Sequence, residues 1–224
     1  VVTGASSGIG RDIARQLASR GAELVLVARR EDRLTELAAE LPVRAEVYPC
    51  DLADPDACVE LHRCDSERPV DILVNNAGFG VFGAFDETDR QKELDLIDVN
   101  IRAVHILTKL FYRDFAARGS GRILNVASSA GFMPGPLLSS YYASKAYVLR
   151  LTEALHEELR RMGSPVTVSA FCPGPVSTEF DAVADVRFSV RGISSERAAK
   201  AAVEGMLRGR LVIVPGLQMK VAHV

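Results

Sequence analysis

A glycine-rich run near the start of the chain decides the fold: Thr3-Gly4-Ala5-Ser6-Ser7-Gly8-Ile9-Gly10. Val1 and Val2 precede it as the end of an apolar strand, and helical apolar spacing over residues 9–20 follows it. A glycine turn between a strand and a helix is where a doubly wound sheet binds a dinucleotide, because backbone N–H groups there face the pyrophosphate. Taken alone, the spacing G-x-x-x-G-x-G could also be a flexible turn, and its position between a strand and a helix favours binding. The predicted phosphate-binding residues are Gly4, Ser6, Ser7, Gly8, Ile9 and Gly10.

Apolar stretches typical of buried strands alternate with stretches of helical spacing along the rest of the chain. Strands are predicted at residues 23–28, 43–48, 70–74, 122–126, 166–171 and 211–214, and helices at residues 32–41, 88–117, 141–162 and 194–207 and after Pro55. Parallel strands need crossover connections, so this alternation predicts an α/β fold: a Rossmann-like doubly wound parallel sheet of about seven strands with helices on both faces. We expect residues 1–224 to form a single domain with an incomplete first strand, and residues 173–193 to form a long loop.

The composition excludes several classes of function. The chain has 224 residues, is 48% hydrophobic and carries a net charge of -2, so it has no broad basic surface for nucleic acid or anionic membranes. No apolar run is long enough to span a bilayer, and the N-terminus lacks the pattern of a signal peptide. The four cysteines form no C-x-x-C pair, which favours a reduced, cytoplasmic setting. Cys58, His62 and Cys64 match no common zinc template and fit a helix face, so no metal is predicted.

The end of the second predicted strand carries Ala28-Arg29-Arg30, about 20 residues beyond the glycine run. In a dinucleotide fold this position recognises the adenine ribose, where an acid suits a free 2′-hydroxyl and a cation suits a 2′-phosphate. Guanidinium groups form paired hydrogen bonds with phosphate oxygens, so Arg29 and Arg30 favour NADP(H) over NAD(H). The arginines could instead be solvated at a strand end, and Glu31 keeps NAD(H) open.

Tyr141 and Lys145 are four residues apart at the start of a predicted helix, which places them on one face. A phenol has an ordinary pKa of about 10, and a neighbouring ammonium group lowers that pKa by favouring the phenolate. The pair predicts a proton donor tuned by a cation. By itself Y-x-x-x-K is frequent by chance and is also explained by a half-buried tyrosine and a surface lysine. Tyr142 is a rival for the acid, but it lies only three residues from Lys145.

Taken together and in order, these motifs resemble the short-chain dehydrogenase/reductase family over essentially the whole chain. Asn75-Asn76-Ala77-Gly78 resembles the segment that closes the family's fourth strand, and Pro173-Gly174 with Thr178 resembles its P-G-x-x-x-T nicotinamide clamp. Asp51 resembles the acid that contacts adenine, and Asn100 resembles the asparagine of the catalytic tetrad. Ser128, thirteen residues before Tyr141, has the spacing of the family's serine, whereas Ser129 is off register.

This resemblance implies an oxidoreductase that transfers a hydride between NADP(H) and a carbonyl or secondary alcohol. In that reading Ser128 hydrogen-bonds the substrate oxygen, and Tyr141 gives or takes the proton. Lys145 binds the nicotinamide ribose and lowers the tyrosine pKa, while Asn100 positions a water. The further cofactor contacts that the resemblance implies are Asp51, Leu52, Asn76, Ala77, Gly78, Tyr141, Lys145, Pro173, Gly174, Val176 and Thr178.

The resemblance also implies an assembly and a substrate side. By analogy, the helices at residues 88–117 and 141–162 pair across a twofold axis in a homodimer or homotetramer, and residues 217–224 stop early for the family. A small-molecule substrate is expected. Phe132, Met133 and Leu137 either line its pocket or belong to ordinary packing, and Phe180 and Phe188 suggest an apolar acceptor. His105 and His156 fall on predicted helices as surface or interface residues.

Three alternatives stay open. A 3-oxoacyl-carrier reductase of the same family would need a basic patch at the mouth of the site, for which Arg150, Arg160 and Arg161 are candidates. A non-catalytic NADP(H)-binding sensor would be marked by a lost catalytic side chain, yet Ser128, Tyr141 and Lys145 are all present. A sugar epimerase is weaker, because those relatives are longer and space their glycines differently.

Overall fold

Strands and helices alternate along the chain in a computed structural model that describes residues 1–63, 69–177 and 192–215. The strands are β1 (Val2–Thr3), β2 (Leu24–Ala28), β3 (Ala45–Pro49), β4 (Ile72–Asn75), β5 (Arg122–Val126), β6 (Thr167–Phe171), β7 (Val176–Ser177), β8 (Ile193–Ser194) and β9 (Val212–Ile213). The α-helices are α1 (Gly8–Ala18), α2 (Glu31–Glu40), α3 (Pro55–Arg63), α4 (Arg90–Ile97), α5 (Val104–Arg118), α6 (Ser139–Arg161) and α7 (Ser195–Leu207). The predicted alternation is thereby confirmed, with element bounds that differ by a few residues.

Seven of these strands form one parallel sheet in the order β3-β2-β1-β4-β5-β6-β9. The strand order reverses between β1 and β4, and a doubly wound sheet opens a crevice at the carboxyl ends of the strands at such a point. The predicted Rossmann-like fold is confirmed. The expectation of a loop throughout residues 173–193 is wrong at its two ends, because β7 pairs in parallel with β8 in a separate small sheet. Residues 178–191 lie outside the described residues.

Helices cover both faces of the sheet because successive strand residues point to opposite sides. On one face, Leu124 of β5 packs in a buried cluster with side chains of α1, α2 and α7. On the other face, Ile123 packs in a second cluster with side chains of α3, α5 and α6. In the described part of the chain, no helix is both long and apolar enough to cross a bilayer.

A buried polar network ties the centre of the sheet to two helices. The Asn75 amide donates to Thr108 Oγ1 at 3.0 Å and to Asn125 Oδ1 at 2.9 Å, and the Asn125 amide donates to Thr152 Oγ1 at 3.0 Å. All four side chains are buried, so each of these hydrogen bonds avoids a large desolvation penalty. The network fixes the end of β4 and thus the start of the segment that follows it.

The long helix predicted at residues 88–117 contains a change of winding. Asp89 caps its start by accepting a hydrogen bond from the Lys92 N–H at 2.9 Å. Between α4 and α5, residues Asp98–Ala103 form a π-helical turn, a feature frequent at functional sites. Asn100 lies in this turn and is fully buried.

Helix α6 begins at Ser139, two residues before its predicted start.

Candidate active site

A cleft of about 430 Å³ opens at the carboxyl ends of the central strands, where the strand order reverses. The structure brings most of the predicted site residues to it. Its lining includes Gly4, Ser6, Ser7, Gly8, Ile9, Arg29, Arg30, Asp51, Leu52, Asn76, Ala77, Gly78, Ser128, Tyr141, Lys145, Pro173, Gly174 and Val176. Gly10 and Asn100 lie behind the lining, and Thr178 lies outside the described residues.

The glycine turn follows β1 and leads into α1. Gly4 has φ +65° and Gly8 has φ +53°, a left-handed backbone that suits glycine. A Cβ at Gly4 would lie 2.7 Å from Asn76 Nδ2, and a Cβ at Gly10 would overlap the Gly4 carbonyl group. The turn is therefore packed tightly on its inner side while its other side faces the open cleft. This arrangement fits a dinucleotide pyrophosphate bound by backbone N–H groups.

Thr3 holds the glycine turn to the segment after β4, a role that sequence reasoning missed. Its hydroxyl accepts hydrogen bonds from the backbone N–H groups of Asn76 at 2.9 Å and Ala77 at 3.1 Å. The same hydroxyl donates to the Val74 carbonyl at 3.2 Å, and the Asn76 amide donates to the Thr3 carbonyl at 3.0 Å. Since Thr3 immediately precedes Gly4 and can both donate and accept, its position was the available signal.

The two arginines after β2 both line the cleft and are exposed. Arg30 donates from Nη2 and Nε to Ser6 Oγ at 3.1 and 3.3 Å. This contact holds the guanidinium group against the glycine turn. The cation is consequently placed beside the region where the phosphate groups of a dinucleotide would lie.

Ser128, Tyr141 and Lys145 come together although they lie on different elements. The hydroxyl groups of Ser128 and Tyr141 share a hydrogen bond. Lys145 Nζ lies 5.7 Å from the centre of the Tyr141 ring and donates to the Val126 carbonyl at 2.9 Å. Ser128 is fixed by its own backbone contact, because its Oγ accepts from the Ala130 N–H at 3.1 Å. A phenol, an amine and a hydroxyl therefore converge at one end of the cleft.

Burial controls the proton affinities of this group. It raises the pKa of Tyr141 to about 12, and the hydrogen bond from Ser128 acts in the opposite direction. The sequence led us to expect a lowered phenol pKa. The pKa of Tyr141 is raised instead, because burial disfavours the phenolate. Burial also lowers the pKa of Lys145 to about 8. Near neutral pH the phenol thus keeps its proton, while the amine is close to its titration range.

Asn100 supports the site from behind. Its amide nitrogen donates to the Phe79 carbonyl at 2.9 Å and to Ser144 Oγ at 3.1 Å, and its Oδ1 accepts from the Phe79 N–H at 3.1 Å. Ser144 in turn donates to the Tyr141 carbonyl at 2.7 Å. The π-helical turn thereby joins the segment after β4 to the first turn of α6. Its predicted part in positioning a water stays a prediction.

The other aromatic and apolar candidates lie at different places relative to the cleft. Tyr142 lines the cleft, whereas Phe132 is partly buried and packs against a buried cluster, and Met133 and Leu137 are about half exposed. Sequence reasoning missed Phe79, Val99 and Leu138, which also line the cleft and which no motif marks.

Three histidines, His62, His105 and His156, do not line the cleft, and neither does Cys58. His105 hydrogen-bonds Tyr147 and His156 contacts the Val168 carbonyl. His62 pairs with Asp114 at 2.6 Å. Cys58 is buried in the core, and Cys64 lies outside the described residues.

Comparisons with known proteins show the family to which the chain belongs. A family model described as short chain dehydrogenase matches residues 1–186. The chain is 43% identical over 187 residues to the granaticin polyketide synthase putative ketoacyl reductase 1 of Streptomyces violaceoruber, a match that covers 80% of this chain and 67% of that protein.

Solved structures are similar over almost the whole chain. A short-chain dehydrogenase from Sphingobium yanoikuyae in complex with NADPH superposes with a TM-score of 0.91 at 34% identity, covering 99% of this chain and 89% of that one. A short chain dehydrogenase/reductase from Burkholderia phymatum in complex with NAD has a TM-score of 0.87 at 26% identity over 99% and 89% of the two chains. The chain therefore belongs to the short-chain dehydrogenase family and is an oxidoreductase of that family.

Proposed function

We propose that this protein transfers a hydride between NADP(H) and a carbonyl or secondary alcohol substrate, with Tyr141 as the acid/base. The observation that carries the proposal is the hydrogen-bonded pair of Ser128 and Tyr141, with Lys145 beside it, at one end of the cleft that begins at the glycine turn. When bound, the nicotinamide cofactor supplies or accepts the hydride. The chain supplies orientation and the proton.

The roles of the catalytic side chains follow from where charge develops. Reduction places negative charge on the substrate oxygen, so donors aimed at that oxygen stabilise the transition state more than the ground state. Ser128 and Tyr141 are two such donors that already contact each other. Because the pKa of Tyr141 is about 12, its proton is present at neutral pH and available to the developing alkoxide. Lys145, held by the Val126 carbonyl, keeps a positive charge next to the phenolate that remains.

NADP(H) is proposed in preference to NAD(H). Arg29 and Arg30 line the cleft, and Arg30 is held by Ser6 of the glycine turn. A 2′-phosphate placed there would accept charge-assisted hydrogen bonds, whereas NAD(H) would leave the guanidinium groups to water. The two similar structures contain NADPH in one case and NAD in the other, so the preference rests on the arginines of this chain. Glu31, which follows them, begins α2.

A 3-oxoacyl-carrier reductase is the second candidate, favoured by the ketoacyl reductase name of the Streptomyces relative. The arginines considered for a carrier-binding patch do not support it. Arg150 pairs with Glu153, and Arg160 and Arg161 both pair with Glu157. Along α6, Arg150 lies roughly 14 Å and Arg160 roughly 29 Å beyond Tyr141, at 1.5 Å per residue. Each arginine is paired with a carboxylate of its own helix and lies away from the catalytic group.

We also propose that the chain assembles as a homodimer or homotetramer through α4, α5 and α6. Leu94 and Ile97 on α4 and Tyr147 on α6 are large apolar or aromatic side chains that are 38–44% exposed. Exposed apolar side chains on adjacent long helices are typical of a subunit interface. The oligomeric state in solution, measured by light scattering, tests this assignment.

The experiment that tests the function is a screen of carbonyls and alcohols against NADPH, NADH and their oxidised forms, read by the absorbance of the reduced nicotinamide. Tyr141→Phe is expected to keep cofactor affinity and lose about 10²–10⁴-fold in turnover, the usual contribution of a positioned acid or base. Tyr112→Phe is the matched control, because Tyr112 packs against the core outside the cleft. Unchanged turnover in Tyr141→Phe, or no turnover by the wild type with any substrate, overturns the proposal.

A further inference from the structure

A tight turn before α6 presents one glycine to the ring of Tyr142. The Leu138 N–H donates to the Gly135 carbonyl at 3.2 Å, closing a turn with Pro136 at its second position and Leu137 at its third. Leu137 has φ +64°, the left-handed conformation that the third position of a type II turn requires. The Gly83 N–H binds the Leu137 carbonyl at 2.9 Å from the neighbouring segment. Pro134 and Pro136 flank Gly135, so its backbone position is strongly restricted.

The ring of Tyr142 rests directly on Gly135. A Cβ at Gly135 would lie 2.5 Å from Tyr142 Cγ and would overlap Cδ2 and Cε2, so the whole ring would have to move. Tyr142 lines the cleft and Gly135 does not. A ring pushed away from Gly135 therefore moves toward the cleft. The ring also packs edge-on against Tyr141, with centroids 6.2 Å apart.

Several apolar side chains line the cleft. Phe79, Val99 and Leu138 line the cleft together with Tyr142, a set we call the substrate wall, and none of these four side chains is charged. The surface beyond is apolar too, because Leu137 is 47% exposed and Met133 is 51% exposed on the segment that leads into α6. An apolar wall that is continued by exposed apolar side chains favours a substrate with a large apolar body that extends beyond the cleft.

We propose that the Gly135–Tyr142 pair sets the width of the substrate wall, and that this width admits carbonyl compounds with bulky apolar substituents. The inference rests on the proposed function and deepens it. Glycine at 135 allows the ring to retract, and a larger residue there narrows the cleft next to Tyr141. Tyr142 is thus a specificity-determining residue in our account, and Gly135 acts through it as a positioning residue.

A double-mutant cycle tests the pair, using two ketones that the wild type reduces, one small and aliphatic and one aryl. The readout is the ratio of kcat/KM for the aryl ketone to that for the small one. Gly135→Ala is expected to lower this ratio about tenfold, the effect of a small volume change in an apolar pocket. Tyr142→Ala is expected to raise it, and adding Gly135→Ala to Tyr142→Ala should change it no further. In Tyr142→Phe, which keeps the ring, Gly135→Ala must still lower the ratio.

Two results overturn the proposal. One is a Gly135→Ala effect on the kcat/KM ratio that is equally large in the wild-type and Tyr142→Ala backgrounds. The other is a kcat/KM ratio that Tyr142→Ala leaves unchanged. Tyr142→Ala adds no atoms, so it decides the question even if Gly135→Ala does not fold. Turnover by the wild type with any carbonyl establishes the proposed function separately. A failed ratio test with an active wild type therefore overturns this inference alone.

Discussion

Arg30 offers a direct test of the cofactor preference. Arg30→Gln keeps a long polar side chain but removes the cation that donates to Ser6 Oγ at 3.1 and 3.3 Å. Hydrogen bonds to charged groups contribute about 1.5–3 kcal/mol. Because Arg30 is exposed and its charge is screened by solvent, we expect the lower part of that range. At about 1.4 kcal/mol per factor of ten, the KM for NADPH should rise roughly 10- to 30-fold.

The assay compares KM for NADPH and NADH in wild type and Arg30→Gln with one carbonyl substrate. The KM for NADH should stay within about twofold of the wild type, because NADH carries no 2′-phosphate for the guanidinium group to bind. Arg33→Gln is the matched control, since Arg33 is an exposed arginine of α2 that does not line the cleft. Equal losses for both cofactors, or no loss for either, would refute the assignment of Arg30 to the phosphate.

Three further predictions concern Lys145, Leu137 and Gly10. The pKa of Lys145 is lowered to about 8 in the folded protein. Between pH 8 and 10.5 the folded protein therefore binds fewer protons than the unfolded chain, so the free energy of unfolding rises with pH across that range. The destabilising effect of the buried ammonium is fully present below pH 8 and fades as the pH rises to 10.5. In urea unfolding at pH 7, the free energy of unfolding of Lys145→Met should exceed that of the wild type by about 1–2 kcal/mol, after the lost hydrogen bond to the Val126 carbonyl is deducted. A difference in unfolding free energy that grows with pH would contradict this. Leu137→Gly should stabilise the fold by about 0.5–1 kcal/mol, because relief of the left-handed leucine, about 1–2 kcal/mol, exceeds the added entropy cost of glycine; a lower urea midpoint would be the opposite result. Gly10→Ala should abolish cofactor binding in calorimetry, because a Cβ there would overlap Gly4, and wild-type affinity would show that the turn tolerates the change.

The sheet and the catalytic group were predictable for clear physical reasons. Strands buried on both faces are continuous apolar runs, and residues 24–28 (LVLVA) show that pattern. Tyr141 and Lys145 are four residues apart, and that spacing places two side chains on one face of any α-helix. Ser128 came only from the resemblance, since it joins Tyr141 through tertiary packing.

The sequence could not predict features that depend on contacts between distant segments. Thr3 links β1 to the segment after β4, which lies 73 residues away in the chain. The π-helical turn at Asn100 has the same apolar spacing as an ordinary helix, and β7 and β8 are each two residues long, too short for a periodic pattern. The raised pKa of Tyr141 arises from burial, which no local motif reveals.

The most direct test of the central claim is a label-transfer experiment with the whole chain. NADPH carrying deuterium at the transferable position is mixed with a carbonyl that the wild type reduces, and the alcohol is analysed by mass spectrometry. We predict one deuterium on the carbinol carbon for the wild type, and the same labelled product at a rate about 10²–10⁴-fold lower for Tyr141→Phe with unchanged cofactor affinity. An unlabelled alcohol, or a labelled one formed by Tyr141→Phe at the wild-type rate, would contradict the account.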